Sequence, residues 1–372
     1  MRIAYVIMHV EKSNMLGGVG RKIEFQTSQW RQAGHEVRPF ILMPEYQGEN
    51  IHTYKACTRL PLIRDLTRMA SRSYALTQLI NSVKEYQPDI IYLRCGRYVF
   101  PFHTLAKIAP IILEINTRDI DEHRIRGGYF YWSHLFSRKM LFGNVSGFVA
   151  VSHEIAELPV NLVYRKPTRV ISNGIDLEKY DPLPAPKNDS PVITMVASPG
   201  MAWHGVDKLV ALAENCPDLT FNLVGYSPEN IRQFVPPNLH LPGFLRQAEV
   251  KAVLALTDVA CSTLALHRNN MEEASTLKVR EALAFGIPLI LAYRDTDLEG
   301  LDADWLLRLP NTPGNMSENV DAIKNFAHRM MGRRVERALI ANRIDQRAKE
   351  QERLAFFAEI ARNGIGFKSA RN

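Results

Sequence analysis

EEASTLKVREALAFGIPLIL, residues 272–291, is the stretch of this chain that decides its fold. In its middle, apolar residues recur at helical spacing and predict a helix. Ser275 or Thr276 is a suitable N-cap for that helix, and Gly286 is a suitable residue to end it. The wholly apolar run that follows, residues 289–292, predicts a strand buried on both faces. The stretch therefore indicates a loop, a helix and a buried strand in succession.

Two carboxylates, Glu273 and Glu281, stand on either side of the predicted helix start. A helix N-terminus presents free N–H groups and positive potential, which suits a phosphate. Carboxylates only accept hydrogen bonds, so they suit the hydroxyl groups of a sugar. A phosphate site beside sugar-binding groups indicates a nucleotide sugar.

Length, composition and charge limit the class of protein. The chain has 372 residues, of which 46% are hydrophobic and 23% are charged. This is ordinary globular composition, and the length suggests about two domains. Residues 1–185 hold 24 Lys and Arg against 17 Asp and Glu, whereas residues 186–372 hold 22 of each. The net charge of +7 therefore lies in the first half, which we expect to face something anionic.

Cysteine usage and hydropathy indicate the compartment. The cysteines are Cys57, Cys95, Cys216 and Cys261. Their spacing fits neither a metal site nor a disulfide framework, so we expect a reduced, cytoplasmic setting. The apolar start of the chain lacks a cleavage site and predicts a first strand rather than a signal peptide. No run approaches the roughly 18 apolar residues of a membrane span, so the protein is expected to be soluble or peripheral.

A glycine-rich loop lies near the start of the chain. Residues 2–8 predict a buried strand, and the GGVG loop at 17–20 opens a helix that closes at Gly34 before the next strand. The loop lacks the GxGxxG spacing of a dinucleotide site. It fits either a tight packing turn or close approach of the backbone to a bound group, and we favour the second because glycines leave no side chains in the way. Arg21, the next residue, either meets a phosphate or carboxylate or lies on the surface.

Polar residues follow another predicted strand of the first half. Residues 88–93 (PDIIYL) and 111–115 (IILEI) predict buried strands, with a helix at 102–108 between them. Glu114 and Asn116 lie at the carboxyl end of the second strand, where open α/β sheets place ligand contacts.

Two segments carry the excess of basic residues. Residues 63–86 predict a helix with arginines at four-residue spacing, which are Arg64, Arg68 and Arg72. They form either a solvated face or a stripe that faces an anion, and the charge asymmetry favours the stripe. Residues 129–142 (YFYWSHLFSRKMLF) combine aromatic side chains with Arg138 and Lys139. That segment fits core packing, a dimer face, or a surface for lipids or membrane headgroups.

The best linker is the segment 182–191, which is rich in Pro, Lys and Asp, and we place the domain boundary after Ala185. The alternation of strands and helices then starts again. The predicted strands are 192–197, 220–224, 239–241, 259–262 and 289–292, and the predicted helices are 206–215, 228–234, 247–256 and 277–285. This pattern predicts a second doubly wound α/β domain, followed by a largely helical tail.

Eight short motifs, in this order and at this spacing, resemble the retaining glycosyltransferases of the GT-B fold, family 4, also called "glycosyl transferases group 1". The motifs are GGVGR (17–21), AGHEV (33–37), PDIIYL (88–93), VAVS (149–152), SNGID (172–176), LVGYSPE (223–229), TDVACST (257–263) and EASTLKVREALAFGIPLI (273–290). The resemblance covers most of the chain. It implies two doubly wound, Rossmann-like α/β domains facing a cleft: residues 1–185 on the acceptor side and residues 186–345 binding the donor. The last helix, 346–372, would cross back to the first domain.

The resemblance also implies site residues. Glu281 would bind the ribose hydroxyls of the nucleotide, and Glu273 would lie by the donor sugar. Backbone N–H groups at the helix start would cradle the diphosphate, and glycines of the first loop would approach it from the other domain. The donor-binding residues are thus Gly17, Gly18, Gly225, Ser275, Thr276, Leu277 and Glu281. The expected acceptor contacts are Arg21, Glu114 and Asn116.

The chain departs from the family in its cations. His204 stands where the family carries a Lys before a Gly, and no Arg fills the second cationic position. Lys278 is a candidate replacement, because the LK-x-RE arrangement resembles a subgroup that makes this exchange. The catalytic candidates are therefore Glu273, Lys278 and His204. Asn116 stands where many relatives carry a His.

The implied reaction moves a sugar from a nucleotide diphosphate donor to an acceptor hydroxyl with retention, as a hexosyltransferase does. A bacterial-type role in surface polysaccharide or glycolipid synthesis is expected. The chain has no DxD motif and no His/Cys cluster, so we expect no metal and no cofactor. The basic first half favours an anionic glycan or lipid-linked acceptor, with peripheral contact to the cytoplasmic face of a membrane and no nucleic acid.

Three other functions remain open at this stage. A nucleotide-sugar epimerase shares the fold but needs acid–base side chains that the sequence does not place. A catalytically inactive relative that only binds a nucleotide or a partner fits the missing cations. A nicotinamide dehydrogenase fits least, because the glycine loop has the wrong spacing.

Overall fold

The computed structural model describes residues 1–8, 18–44, 51–55, 61–94 and 97–369. The chain divides into two compact units, Met1–Ile171 with Arg347–Asn372, and Ser172–Gln346. Each unit contains its own parallel sheet.

The first unit has a seven-stranded sheet in the order β3-β2-β1-β4-β5-β6-β7. Its strands are β1 (Arg2–Met8), β2 (Glu36–Pro44), β3 (Ile51–Tyr54), β4 (Ile90–Arg94), β5 (Ile111–Ile115), β6 (Gly147–Ala150) and β7 (Thr168–Val170). Its helices are α1 (Gly18–Gln32), α2 (Pro61–Tyr86), α3 (Asp119–Arg126), α4 (Gly128–Gly143), α5 (His153–Glu157) and α6 (Pro159–Leu162), with a 3-10 helix at Phe102–Lys107. The strand β1 pairs with β2 and β4 on its two sides and is almost wholly buried, which explains its apolar sequence.

The glycine-rich loop differs from the prediction. Gly18 is the first residue of α1, so the glycines at 18 and 20 lie in a helix and not in a loop. Gly17, the remaining glycine of the motif, lies outside the described residues.

The last helix, α12 (Gln346–Ser369), contributes to the core of the first unit. The ring of Phe357 lies 5.2 Å from that of Trp30, between centroids. Glu350, which is buried, accepts hydrogen bonds from Trp30 Nε1 at 2.8 Å and from Gln26 Nε2 at 3.3 Å. A buried carboxylate needs such donors, so these bonds specify where the helix packs.

The second unit has a six-stranded sheet in the order β10-β9-β8-β11-β13-β15, and a separate pair β12-β14. Its strands are β8 (Val192–Val196), β9 (Thr220–Val224), β10 (Leu239–His240), β11 (Val259–Cys261), β12 (Glu273–Ala274), β13 (Leu289–Leu291), β14 (Arg294–Asp295) and β15 (Leu306–Arg308). Its helices are α7 (Val206–Asn215), α8 (Gln247–Ala255), α9 (Leu277–Ala284), α10 (Val320–Met330) and α11 (Ala341–Ile344). The buried strand predicted from the apolar run at 289–292 is confirmed as β13, which pairs with β11 and β15.

The boundary between the two units lies earlier in the chain than the Pro-rich composition predicted. Residues 172–185 belong to the second unit, so the first unit ends at Ile171 and not at Ala185. The N–H of Asn173 donates to Ser275 Oγ at 2.8 Å, and the N–H of Leu183 donates to Phe285 O at 3.1 Å. The backbone bond at Leu183 therefore attaches the start of the Pro-rich segment 182–191 to the second unit.

One predicted helix is largely absent. Residues 228–234 form only a 3-10 turn at Pro228–Asn230, and Ile231 is already extended. The Asn230 side chain accepts a bond from the Ser227 N–H at 3.0 Å, which is a capping-box contact at the start of this turn.

Candidate donor site

The segment that opened the sequence analysis forms a strand, a turn and a helix. β12 leads into Thr276, the N-cap of α9, and Gly286 follows the helix with φ +78°, as predicted. The Thr276 side chain makes no capping bond, and its hydroxyl lies 3.0 Å from Tyr293 Oη instead. The N-cap side chain therefore leaves the first N–H groups of α9 to water or a ligand.

The turn before α9 is anchored by the SNGID motif. Asn173 donates from its backbone to Ser275 Oγ at 2.8 Å and from its side chain to Ser275 O at 2.6 Å. Ser275 is buried, so its side chain serves the turn rather than a ligand. The motif was predicted only as a turn, and the structure adds that it holds the start of α9 in place.

Arg280 connects this turn to the rest of the unit. Its side chain is fully buried and donates to Asp295 Oδ2 and to Asp297 Oδ2, both at 2.7 Å. It also donates to Ser275 Oγ at 2.9 Å and to Asn173 O at 2.9 Å. Sequence reasoning noted Arg280 only as one cation in the segment. Its carboxylate partners show no local pattern that would have identified a buried network.

Lys278 and His204 lie together, as expected if they share a role. Lys278 Nζ is 3.2 Å from His204 Nε2. Burial and the neighbouring Lys278 lower the pKa of His204 to about 3, so His204 is neutral near pH 7. Of the catalytic candidates, His204 is therefore a neutral ring and not a cation. Burial also lowers the pKa of Lys278, to about 8, and Lys278 is the cation of the pair at neutral pH.

The tautomer of His204 follows from its second nitrogen. The Ser198 N–H donates to His204 Nδ1 at 3.2 Å, so the proton of the neutral ring is on Nε2. Nε2–H and the Lys278 ammonium are then two donors side by side. Two adjacent donors without an acceptor between them favour the approach of an anionic oxygen.

Backbone contacts position the His204 loop. The N–H of Leu264 donates to His204 O at 3.0 Å, and the N–H of Ala265 donates to Trp203 O at 3.1 Å. Gly205 has φ +72°, and a Cβ there would come within 2.8 Å of Leu264 Cβ. The close packing of these two loops therefore requires glycine at 205.

The two carboxylates of the motif have different surroundings. Glu273 lies in β12 and is only 1% exposed, whereas Glu281 is half-buried in the second turn of α9. Glu281 and Lys278 are three residues apart and line one small cavity of about 20 Å³. No structural observation assigns a ligand to either carboxylate, so their roles stay predictions.

Gly225, at the end of β9, has no room for a side chain. Its φ is +98°, and a Cβ would lie 2.0 Å from Ala197 O. We predict that Gly225→Ala lowers the free energy of unfolding by about 2–4 kcal/mol, because the clash adds to the backbone strain. Urea denaturation measures this. Gly243→Ala is the matched control, because Gly243 has φ +75° but no atom within 4 Å of its Cβ position. Equal losses of unfolding free energy in the two variants would show that backbone strain, and not the clash with Ala197 O, causes the destabilisation.

The candidate residues of the first unit are arranged differently from the prediction. Glu114 is buried and accepts bonds from Lys22 Nζ at 2.6 Å and Arg94 Nη1 at 2.7 Å. These cations hold the pKa of Glu114 well below its usual range despite burial, and burial lowers the pKa of Lys22 to about 8. Glu114 therefore orders the end of β5. Arg21 is exposed on α1 and Asn116 is half-buried after β5, and their acceptor roles stay predictions.

The basic segments are only partly on the surface. Arg64 and Arg68 are exposed on α2, which fits a solvated face and an anion-facing stripe equally, and Arg72 is half-buried over the Tyr54 ring. Arg138 is 3% exposed and donates to Asp119 and to Asn161 Oδ1, so it is a buried anchor of α4 and not a surface cation. Lys139, its neighbour, is exposed.

The described residues form neither a cluster of metal ligands nor a helix that could span a membrane. Within the described ranges no three His, Cys, Asp or Glu side chains converge as metal ligands. The expectation that the protein needs no metal or cofactor stays a prediction. None of the helices built from described residues is long and apolar enough to span a membrane.

Similarity to proteins of known structure identifies the fold. Residues 16–179 match the model of the family described as Glycosyltransferase Family 4. A search of curated proteins found no match. Sucrose-phosphate synthase from Thermosynechococcus elongatus has 13% identity and a TM-score of 0.65, over 96% of this chain and 98% of that one.

Two other solved structures are similar over their full length. The lipopolysaccharide outer core galactosyltransferase WaaB has 14% identity and a TM-score of 0.61, over 99% of this chain and 100% of that one. Anabaena HepE in complex with UDP-glucose has 14% identity and a TM-score of 0.63, over 96% of this chain and 100% of that one. These likenesses give the chain the GT-B fold, and residues 16–179 match the model described as Glycosyltransferase Family 4.

Proposed function

We propose that this chain transfers a sugar from a nucleoside diphosphate donor to an acceptor hydroxyl with retention at the anomeric carbon. The observation that carries the proposal is the pair of donors, Lys278 Nζ and His204 Nε2–H, 3.2 Å apart. Lys278 lies in the first turn of α9, beside N–H groups that the N-cap side chain does not bond. A diphosphate is an anion that satisfies a cation, an imidazole N–H and helix N–H groups together.

The chemical step cleaves the bond between the sugar and the diphosphate, and negative charge grows on the leaving diphosphate. Lys278 and the N–H groups of α9 stabilise that charge without reorganising. His204 contributes a neutral hydrogen bond, and its ring is held by the Ser198 N–H. The bound diphosphate raises the pKa of Lys278 again, because an adjacent anion favours the ammonium form.

Glu281 and Glu273 are assigned to the donor's hydroxyl groups. Glu281, half-buried in the second turn of α9, accepts from the ribose, and Glu273 accepts from the transferred sugar. The HepE complex contains UDP-glucose, so a uridine donor is the first to test here. We assign the activity to polysaccharide or glycolipid synthesis of the bacterial type.

A ligand panel tests the donor site. UDP, GDP, dTDP and their sugars are added to the full chain, and thermal unfolding is measured. One nucleotide should stabilise the protein by about 2–3 kcal/mol at a hundredfold excess over its Kd. Glu281→Gln should lose most of this shift, because the neutral amide accepts ribose hydroxyls less strongly.

Glu214→Gln, a substitution of an exposed glutamate on α7, is the matched control and should keep the shift. A shift that survives Glu281→Gln would contradict the ribose assignment. Release of free sugar or transfer in the same samples separates an enzyme from an inactive relative that only binds. Interconversion of the donor sugar without transfer would indicate an epimerase.

A membrane contact is the second proposal, and one surface favours it. α4 exposes Trp132 (57%), Phe136 (78%) and Met140 (45%) at four-residue spacing, with the exposed Lys139 beside them. A helix with large apolar side chains and a cation on its solvent face suits an anionic bilayer surface. The acceptor would then be an anionic or lipid-linked glycan.

Vesicle sedimentation tests this contact. The chain should bind vesicles of 30% phosphatidylglycerol, and added salt should weaken the binding because of screening. Phe136→Ser should reduce the bound fraction at least threefold. Phe234→Ser, which changes an equally exposed phenylalanine of the second unit, should not. Equal binding by both variants, or binding insensitive to salt, would exclude this surface.

A further inference from the structure

A large cavity in the first unit is lined by none of the candidate site residues discussed above. It has a volume of about 670 Å³ and lies between the end of α2 and the 3-10 helix at Phe102–Lys107. α2 ends just before β4, and the 3-10 helix ends just before β5. The cavity is therefore at the amino ends of these strands, whereas open α/β sheets bind their main ligands at the carboxyl ends.

Two helices line the cavity with matching faces. Thr77, Asn81 and Lys84 recur at intervals of four and three residues, so they share one side of α2. Thr104 and Lys107 are three apart on the 3-10 helix, where residues i and i+3 eclipse. The periodicity of each helix thus brings a lysine and a threonine to the same cavity.

The charge of the cavity is positive. Lys84 and Lys107 are exposed, and neither makes an ion pair or side-chain hydrogen bond with any residue that the structure describes. The residues lining the cavity include no carboxylate. Each lysine lies in the last turn of its helix, where a cation stabilises the carbonyl ends. That role explains each lysine separately, but it does not explain why the two share one cavity.

The other polar side chains that line the cavity can form hydrogen bonds with the hydroxyl groups of a sugar. Asn81 and Gln87 carry amides that both donate and accept. The hydroxyls of Thr77 and Thr104 donate to Ser73 O and Pro101 O, both at 2.9 Å, which leaves their lone pairs free to accept. Phe100, next to the lining residue Pro101, is 62% exposed and offers an apolar surface for the C–H face of a sugar ring.

We propose that this cavity is a binding site for an anionic oligosaccharide, separate from the donor site. The volume lies within the range of about 300–1,000 Å³ that is typical of small-ligand sites. The lysines bind carboxylate or phosphate groups, and the amides and threonines bind the ring hydroxyls. Such a site holds an acidic glycan on the first unit, in agreement with the excess of basic residues in residues 1–185.

Isothermal titration calorimetry on the full chain tests the site with three probes. Tetragalacturonate carries a carboxylate on every ring, chitotetraose has the same length without charge, and inorganic phosphate is a bare anion. Tetragalacturonate should bind at least tenfold more tightly than either of the others, and 0.5 M NaCl should weaken that binding. Lys84→Gln and Lys107→Gln should each weaken it at least fivefold.

Lys187→Gln makes the same charge change on an exposed lysine of the second unit, and its Kd should stay within twofold of the wild-type value. Circular dichroism confirms that each variant is folded. Wild-type affinity in both lysine variants, equal affinity for chitotetraose, or equal affinity for phosphate would each overturn the proposal. None of these results would alter the donor panel, because Lys84 and Lys107 lie outside the donor unit.

Discussion

Lys278→Met is expected to lower the turnover of the donor by about 10²–10³-fold, the usual cost of removing one group that stabilises developing negative charge. The His204 ring does not compensate, because burial, the largest cause of its lowered pKa, remains when Lys278 is replaced. The substitution should affect kcat more than KM, because charge on the diphosphate is greatest in the transition state. Steady-state kinetics with the donor found in the ligand panel measure both constants. Unchanged turnover would contradict the assignment of Lys278.

The same variant should be more stable than the wild type. The pKa of Lys278 is lowered to about 8 from an ordinary 10.5, so the folded state disfavours its charged form. Methionine of similar size removes this penalty, and we expect a gain of about 1–3 kcal/mol in the free energy of unfolding. A loss of activity with a gain of stability separates a functional lysine from one that merely supports the fold.

Restoring the cation at the other position is the sharpest control. The double variant His204→Lys with Lys278→Met moves the charge to the place where the resembling family carries it. Turnover should recover at least tenfold over Lys278→Met alone, because the two side chains are adjacent and both contact the diphosphate in the proposed function. No recovery would mean that Lys278 acts in some other way than by its charge.

The ionisation of Lys278 predicts that activity falls and stability rises as the pH increases above about 8. Lys278 of the free enzyme loses its proton as the pH rises through about 8, so kcat/KM should fall above pH 8. The stability contribution runs the other way: the penalty is fully present below pH 8 and is relieved between pH 8 and 10.5, where only the unfolded state keeps the proton. In Lys278→Arg the alkaline fall in rate should disappear below pH 10, because arginine stays charged.

Arg280→Met should have the largest effect on stability, a loss of about 3–5 kcal/mol. Removal of the guanidinium leaves Asp295, which is fully buried, and Asp297, which is 12% exposed, without their cation. It also removes the bonds to Ser275 and Asn173 that hold the turn before α9. Urea denaturation followed by tryptophan fluorescence measures the loss.

Two comparisons make this prediction specific. Arg280→Met combined with Asp295→Asn and Asp297→Asn should recover most of the loss, because no unpaired charge remains buried. Arg268→Met removes a bidentate contact to Asp207 at 2.7 Å, but that pair is 33% and 50% exposed and should cost less than about 1 kcal/mol. A loss for Arg280→Met as small as that for Arg268→Met would contradict the prediction.

Sequence patterns were most reliable where the signal is local. The helix at α9, its end before Gly286 and the buried strand β13 depend on periodicity and capping within a few residues, and all three are confirmed. The helix expected at 228–234 is wrong beyond its first turn, because Ile231 is already extended. The loop expected at Gly18 failed because the helix begins at the glycine itself.

The charged residues were less predictable, because a sequence does not reveal burial. The sequence left core packing and a surface role open for the segment that contains Arg138, and the structure buries Arg138 against Asp119 and Asn161. Glu114 was expected to contact a ligand, but its two oxygens are bonded to Lys22 and Arg94. In each case the partner lies on another element, about 20 to 90 residues away.

The sequence by itself determined that a helix start, a nearby lysine and two carboxylates would occur together in the second unit, because all lie within nine residues, 273–281. Only the tertiary structure decided that Lys278 and not His204 carries the positive charge, and which distant residues position this segment. Lys278 meets His204 across 74 positions, and Arg280 meets Asn173 across 107. The pKa of His204 depends on desolvation and on that neighbour, and both arise only when parallel strands bring the ends of distant segments to one edge of a sheet.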